Sequence, residues 1–312
     1  MDFILLIIGF VLLVKCADWF VDGCSNIAKT LGIPSLIIGL TIVSFGTSAP
    51  EAAVSITASI KGMNSIALGN VVGSNICNVL LILGCSALFG TLSAKRKIIT
   101  RDFVYCIFSG LVLFILSIGF FLSGKTEGII TRTNGWILLC FLAIYLYALL
   151  SEALRTAREK EEKQKFNFKD IILIITGVAG IILGGQLVVN SATNIARLLH
   201  LSETLIALTI VAIGTSLPEL VTSAVAAKKG ESDIAIGNVV GSNIFNIFFV
   251  LGLSGSISPI TYSINSFLDI VFMLISSVIV YLLLLKNQRV GKTKGIILLS
   301  LYALYMAFIF IR

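Results

Sequence analysis

One polar sequence occurs twice in this chain of 312 residues, at a constant separation of 168 positions. Gly46-Thr47-Ser48-Ala49-Pro50-Glu51 returns as Gly214-Thr215-Ser216-Leu217-Pro218-Glu219, and Gly69-Asn70-Val71-Val72-Gly73-Ser74-Asn75-Ile76-Cys77-Asn78 returns as Gly237-Asn238-Val239-Val240-Gly241-Ser242-Asn243-Ile244-Phe245-Asn246. Asn26-Ile27-Ala28-Lys29 matches Asn194-Ile195-Ala196-Arg197 at the same offset. The first segment therefore has a counterpart in the second half and is expected to belong to the mature fold. It also begins Met1-Asp2-Phe3, without the positive n-region of a secretory signal.

Around these motifs the chain is apolar. Hydrophobic residues make up 57% and charged residues 12%, about half the charged share of a soluble domain, and the mean hydropathy is +1.04. Most of the apolar surface must face lipid. A membrane helix needs about 20 apolar residues. Runs between charged or turn residues predict ten: 2–28, 35–60, 64–88, 102–123, 134–156, 169–197, 203–227, 232–256, 266–286 and 295–311. The expected fold is an all-α polytopic membrane protein, with a first five-helix repeat at 1–156, a cytoplasmic linker at 157–168 and a second repeat at 169–312. Five is odd, so the second repeat enters the membrane in the opposite sense. Inverted repeats place substrate near the midplane, between discontinuous helices. A duplication kept for packing alone predicts matching apolar faces, not a best match in buried polar residues.

Charge orients the bundle. The formal net charge is +7. In a soluble protein that would suggest an anionic partner; here basic loops on the cytoplasmic side account for it, and no nucleic-acid partner is expected. With the N-terminus outside, the cytoplasmic loops carry Lys29; Lys95, Arg96, Lys97 and Arg101; Arg155, Arg158, Lys160, Lys163, Lys165 and Lys169; Lys228 and Lys229; and Lys286, Arg289, Lys292 and Lys294, which is 17 basic residues. The other face carries 5: Lys61, Lys125, Arg132, Arg197 and Arg312. Both termini are expected outside, in the plasma membrane. The mixed-sign stretch from Arg155 to Lys169 reads as a solvated helix end and linker.

The motifs carry the chemistry. A proline inside a helix removes one N–H and clashes with the carbonyl four residues back. Pro50 is expected to free the Gly46 carbonyl and Pro218 that of Gly214, and backbone so freed at membrane depth must line a cavity or find another partner. Glu51 and Glu219 follow the prolines. A carboxylate at bilayer depth costs at least ~2.5–3.5 kcal/mol on insertion scales and is a functional candidate by default. Two of them offer the charge that balances one Ca2+, an ion taking six to eight oxygen ligands. Thr47, Ser48, Thr215 and Ser216 add hydroxyls. No nitrogen or sulfur ligand accompanies them in the motif, which argues against zinc or copper. Of the second motif, Ser74, Asn78, Ser242 and Asn246 are candidates to line the site, the asparagines offering an oxygen to an ion or a hydrogen bond to the glutamates. Asn75 and Asn243 are expected to make helix–helix hydrogen bonds, and the glycines to allow close packing.

Other polar residues read as structural. Cys16, Cys24, Cys77, Cys85, Cys106 and Cys140 sit in apolar stretches without a C-x-x-C pair and read as small buried hydrophobes. His200 stands alone at a loop edge. Asp18 and Asp22 have Gln186 and Asn190 as counterparts, and Lys15, one turn before Asp18, is expected to pair with it.

The paired motifs resemble the two alpha-repeats of the sodium/calcium exchanger family, within the Ca2+/cation antiporter superfamily, over nearly the whole chain. The resemblance implies a ten-helix fold with four central cation sites. By motif position it makes Glu51 and Glu219 the principal ligands, with Thr47, Ser48, Ser74, Asn78, Thr215, Ser216 and Ser242 and the backbone carbonyls of Ser44 and Ala212 adding oxygens. It makes the helices at 2–28 and 169–197 the moving pair. Asn246 is a departure: potassium-dependent relatives carry aspartate there, and the neutral residue argues against obligatory K+ cotransport. Proton-coupled relatives typically carry G-N-x-x-E in place of G-T-S-x-P-E. The expected function is therefore secondary active exchange of Ca2+ for Na+ by alternating access, with no cofactor. Proton-coupled or K+-dependent exchange and a cation channel remain the alternatives. An intramembrane enzyme is disfavoured because no histidine, lysine base or metal triad accompanies the glutamates. The oligomeric state is not encoded legibly.

Overall fold

The computed structural model describes residues 2–159, 167–199 and 212–311. It is helical almost throughout. Among the described residues, eight helices are long and apolar enough to cross a membrane, and a bent pair makes a ninth. They are α1 (Asp2–Leu31), α4 (Ser65–Phe89), α5 (Ile98–Leu122), α6 (Arg132–Glu159), α7 (Phe168–Leu198), α10 (Ser232–Ile257), α11 (Ile264–Asn287) and α12 (Lys292–Ile311), with α2 (Ser35–Thr47) and α3 (Ala49–Ile60) as the bent pair. The chain is thus a multi-pass integral membrane protein. The segment expected at 203–227 is described from Ala212 onward, as α8 (Ala212–Gly214) and α9 (Leu217–Lys228). His200, the rest of that segment and residues 160–166 of the central linker lie outside the described residues.

Burial grades the helices. Within their apolar windows α4 is 78% and α10 is 89% buried, against 22% for α6 and 17% for α12. The two helices carrying the G-N-V-V-G-S-N motif therefore form the centre, and the apolar faces of the outer helices meet lipid. Small residues permit this. A Cβ on Gly237 would lie 3.0 Å from the Leu36 carbonyl oxygen and from the Gly39 Cα, so α10 touches α2 backbone to backbone.

The helices α1 and α7 pack together as a second unit. A Cβ on Gly184 would stand 2.9 Å from the Leu13 nitrogen. Each end is clasped by an asparagine–aspartate hydrogen bond: Asn26 Nδ2 to Asp170 Oδ1 at 3.0 Å, and Asn194 Nδ2 to Asp2 Oδ1 at 3.1 Å. These two contacts are related by the 168-residue offset.

Two short antiparallel ribbons tie connections together. β1 (Leu92–Ser93) pairs with β4 (Arg289–Val290), and β2 (Glu127–Ile130) pairs with β3 (Ile260–Ser263). On the face that carries β1, ionic contacts join loops far apart in sequence: Lys95 to Asp233 at 2.5 Å, and Lys97 and Arg101 to Glu152.

Two expectations are corrected here. Cys85 is only partly buried, and Cys140 is exposed on the outer surface of α6, so they are not core residues as the other four are. Asp18 pairs with Lys229 at 2.8 Å and not with Lys15; Asp22 joins the same ammonium at 2.6 Å. The partner on a distant loop is closer in space than the one a helical turn away.

Candidate cation site

The prolines do not sit in helix interiors as the sequence suggests; each opens a new helix. After Thr47 the backbone leaves the helix at Ser48, with φ −82° and ψ 6°, and restarts at Ala49 with a 49° bend. Ser216 has φ −91° and ψ 6°, and α9 restarts at Leu217. Pro50 and Pro218 then occupy the first turn, where a missing N–H costs nothing. The same step carries Glu51 and Glu219 into the first turn of α3 and α9, at the positive end of each helix dipole.

Each broken helix is held by an asparagine of the neighbouring central helix. Asn70 Nδ2 donates to the Glu51 carbonyl at 3.2 Å and to Ser55 Oγ at 2.9 Å. Asn238 Nδ2 donates to the Glu219 carbonyl at 3.4 Å and to Ser223 Oγ at 2.9 Å. Their oxygens accept from across the molecule, Asn238 from Thr47 at 3.0 Å and Asn70 from Thr215 at 3.5 Å. Sequence reasoning quoted Asn70 and Asn238 in the motif but assigned them no part. The usable signal was their spacing of 19 residues from each glutamate in both halves.

The glutamates face one another across the two halves. Ser48 Oγ donates to Glu219 Oε1 at 2.8 Å, and Ser216 Oγ to Glu51 Oε1 at 3.1 Å. Ser216 also reaches Ser74 Oγ at 3.3 Å, and Ser242 reaches Asn238 at 3.5 Å. Glu51 is 1% exposed and Glu219 fully buried. Among the described residues neither meets a lysine or arginine. Two buried carboxylates with no basic partner call for a cation.

Among the described residues, several buried oxygens lack a hydrogen-bond partner, and four of them belong to the two motifs: Glu51 Oε2, Glu219 Oε2, Asn78 Oδ1 and Asn246 Oδ1. All are acceptors, and they form two pairs related by the repeat. The asparagines spend their donors elsewhere: Asn78 Nδ2 donates to Asn243 Oδ1 at 2.9 Å and Asn246 Nδ2 to Asn75 Oδ1 at 3.1 Å. Among the described residues neither asparagine hydrogen-bonds a glutamate. Asn75 and Asn243 do bond helix to helix, each donating to the other's backbone carbonyl. Both central helices widen to π geometry here, over Cys77–Ile82 and Asn246–Leu251, a distortion frequent at functional sites that periodicity did not reveal.

The Ser44 carbonyl accepts from Ser48 N at 3.0 Å. Ala212 opens α8.

The surroundings of the site are not symmetric. A cleft of about 250 Å3 is lined by Gln186 and Asn190 of α7 with Thr215 and with Pro50 and Pro218, the residues that precede the buried glutamates. Of the repeat-related counterparts of that lining, Ala17, Val21, Thr222 and Thr47 are buried, while Asp18 and Asp22 are partly exposed and are bridged by Lys229. Partial burial opposes its charge, but the two carboxylates outweigh it and raise its pKa. A larger cleft of about 790 Å3 between α2, α6 and α7 is lined by Phe45, Leu142, Tyr145, Val178 and Phe249 and contains no carboxylate.

Comparison with known proteins agrees with this geometry. A sequence profile of the sodium/calcium exchanger protein family matches residues 1–151 and 169–311. The sodium/calcium exchanger MaX1 of Methanosarcina acetivorans is 33% identical, over 99% of this chain and 98% of its own. The inner membrane protein YrbG of Escherichia coli is 35% identical, over 98% and 96%. The structure of the sodium-calcium exchanger NCX_Mj soaked with zero Na+ and Ca2+ superposes with a TM-score of 0.83 at 31% identity, covering 99% of this chain and 98% of that one.

Proposed function

The chain belongs to the sodium/calcium exchanger family, and from that premise we propose that it exchanges Ca2+ for Na+ across the membrane by alternating access. The observation that carries this reading is the set of four unpartnered buried oxygens, two carboxylate and two amide. A hard cation dehydrating into the site would find oxygen ligands already facing it. Glu51 and Glu219 supply two negative charges, which balance one Ca2+ or two of several Na+. Ser48 and Ser216 each steady the opposite repeat's carboxylate, and Thr47, Thr215, Ser74, Ser242 and the Ser44 and Ala212 carbonyls complete the set. Cargo bound this way needs no resident cofactor and no covalent step.

Ten spans in two inverted repeats are the architecture we assign. Parity supports it. Strands β2 and β3 pair, so their connections share a face, and an even number of crossings must separate them. The helices α6, α7 and α10 supply three; the segment ending in α9 supplies the fourth. The β1–β4 pairing supports the same extra crossing. The repeats are then residues 1–156 and 169–312. The loops joined by ion pairs are also those given one side by the charge bias, which supports cytoplasmic placement of Lys95, Lys229 and the linker, with both termini outside. In that frame the open cleft faces outward. The α1–α7 pair, clasped at both ends, would slide against the central helices to seal the outer face and open the inner one. Ligand oxygens buried apart from the neighbouring cleft fit a gated transporter better than the continuous open pore of a channel.

The test is radiolabelled Ca2+ uptake into proteoliposomes under imposed Na+, K+ or H+ gradients. Uptake driven by an outward Na+ gradient is expected. Uptake driven by a pH gradient without Na+ would assign proton coupling, and a Ca2+ leak independent of any counter-gradient would assign a channel.

A further inference from the structure

Four asparagines, Asn75, Asn78, Asn243 and Asn246, lie between the central helices α4 and α10, none more than 1% exposed. Their bonds have a direction. An amide nitrogen only donates and an amide oxygen only accepts. A backbone carbonyl only accepts as well, so whatever faces it must be a donor.

Asn75 Nδ2 faces the Asn243 carbonyl at 3.1 Å, and Asn243 Nδ2 faces the Asn75 carbonyl at 3.3 Å. Neither amide can turn over without setting oxygen against oxygen. Their Oδ1 atoms are therefore held toward the remaining two asparagines, which must answer with donors. Asn246 Nδ2 meets Asn75 Oδ1 at 3.1 Å and Asn78 Nδ2 meets Asn243 Oδ1 at 2.9 Å. With the nitrogens so engaged, Asn78 Oδ1 and Asn246 Oδ1 are left at the free ends, buried and unpartnered. Orientation thus passes from backbone carbonyl to first amide to second amide to site oxygen.

We propose that Asn75 and Asn243 are positioning residues that fix the polarity of the cation site, each presenting the oxygen, rather than the NH2, of an asparagine in the opposite repeat. Asn75 sets Asn246 and Asn243 sets Asn78. This rests on the reading of Asn78 and Asn246 as ligands. A reversed amide would aim protons at a cation, so the relay secures neutral ligand oxygens without a further carboxylate. The net charge of the site stays at that of Glu51 and Glu219.

Alanine at 75 keeps the backbone carbonyl that orients Asn243, so it should disable one relay and spare the other. That makes a double-mutant cycle selective. The full chain is reconstituted as Asn75→Ala, Asn78→Ala, Asn246→Ala and the doubles, and read by apparent KM for Ca2+, by maximal rate, and by the melting temperature in detergent. Asn246→Ala is expected to raise KM about tenfold, and Asn75→Ala severalfold with maximal rate within about twofold. In the Asn246→Ala background Asn75→Ala should add nothing; in the Asn78→Ala background its effect should multiply in full. If Asn75→Ala does not fold, Asn75→Ser, too short to reach Asn246, replaces it in the same cycle. An equal effect of the position-75 change in both backgrounds overturns the positioning role and leaves the ligands standing. A KM unmoved by Asn246→Ala removes the ligand and the proposal with it.

Discussion

Replacing Glu219 by glutamine separates an ion-binding carboxylate from a structural one. The side chain keeps its shape, and its oxygen can still accept from Ser48 Oγ at 2.8 Å. The change falls on Oε2, buried and unpartnered, where an NH2 would take the place of a half-charge. With Ca2+ bound, that removes one of two charges facing the ion. Breaking one side of a buried ionic interaction costs about 3–5 kcal/mol, which is roughly two to three and a half powers of ten in affinity. Without cations the sign reverses. The wild type then buries an uncompensated carboxylate at an expense of at least ~2.5–3.5 kcal/mol, whereas the amide leaves one unmade hydrogen bond, about 1–3 kcal/mol. Ion-free Glu219→Gln should therefore melt no lower than the wild type, while its stabilisation by Ca2+ and its Na+-driven Ca2+ uptake disappear. Glu51→Gln should behave alike, since Ser216 and Glu51 Oε2 repeat the arrangement. Thermal melting with and without Ca2+, alongside proteoliposome flux, reads both signs. A variant that melts lower in the absence of ions yet keeps its Ca2+ shift and flux would show a glutamate held for packing and refute the reasoning.

The charge bias places the Arg155–Lys169 stretch in the cytoplasm, so a cysteine introduced there should resist an impermeant thiol reagent in intact cells while one at Lys61 reacts; the reverse pattern overturns the orientation. Lys229→Ala removes two partly exposed ion pairs, each worth about 0.2–1 kcal/mol, and should expose a cysteine at Val21 to labelling from the cytoplasmic face several times faster than in the parent; an unchanged rate would show that Lys229 does not hold α1 against the core. Because Asn78 and Asn246 are neutral, Ca2+ uptake should proceed with K+ absent from both sides. With three Na+ for one Ca2+ it should also respond to voltage, 100 mV contributing ~2.3 kcal/mol per net charge; a strict K+ requirement would refute the reading of Asn246.

The duplicated motif made much of this legible in one dimension. Apolar runs of about 20 residues can do little in a bilayer except form helices, so the spans are local properties, found in the structure within a few residues wherever it describes them. The repeated order of the spans and the place of Glu51 and Glu219 within apolar segments follow from counting. Pro50 and Pro218 announce a broken helix, because the missing N–H acts within one turn.

What the order of residues could not state is which groups meet across the pseudo-twofold. Ser48 bonds the other repeat's glutamate, Asn75 and Asn243 lock each other's helix, and Asp18 takes Lys229 in preference to Lys15. These contacts join residues 168 or more positions apart, and periodicity within a helix carries no information about them. The asymmetry of the surroundings is likewise invisible to a symmetric motif: Gln186 and Asn190 line a cleft, while their counterparts Asp18 and Asp22 are bridged by Lys229. Helix formation and insertion depth are decided by neighbours within a turn and by the solvent, so the sequence alone determined them. Which oxygens remain unpartnered depends on the packing of two helix pairs, and only the tertiary structure decided it.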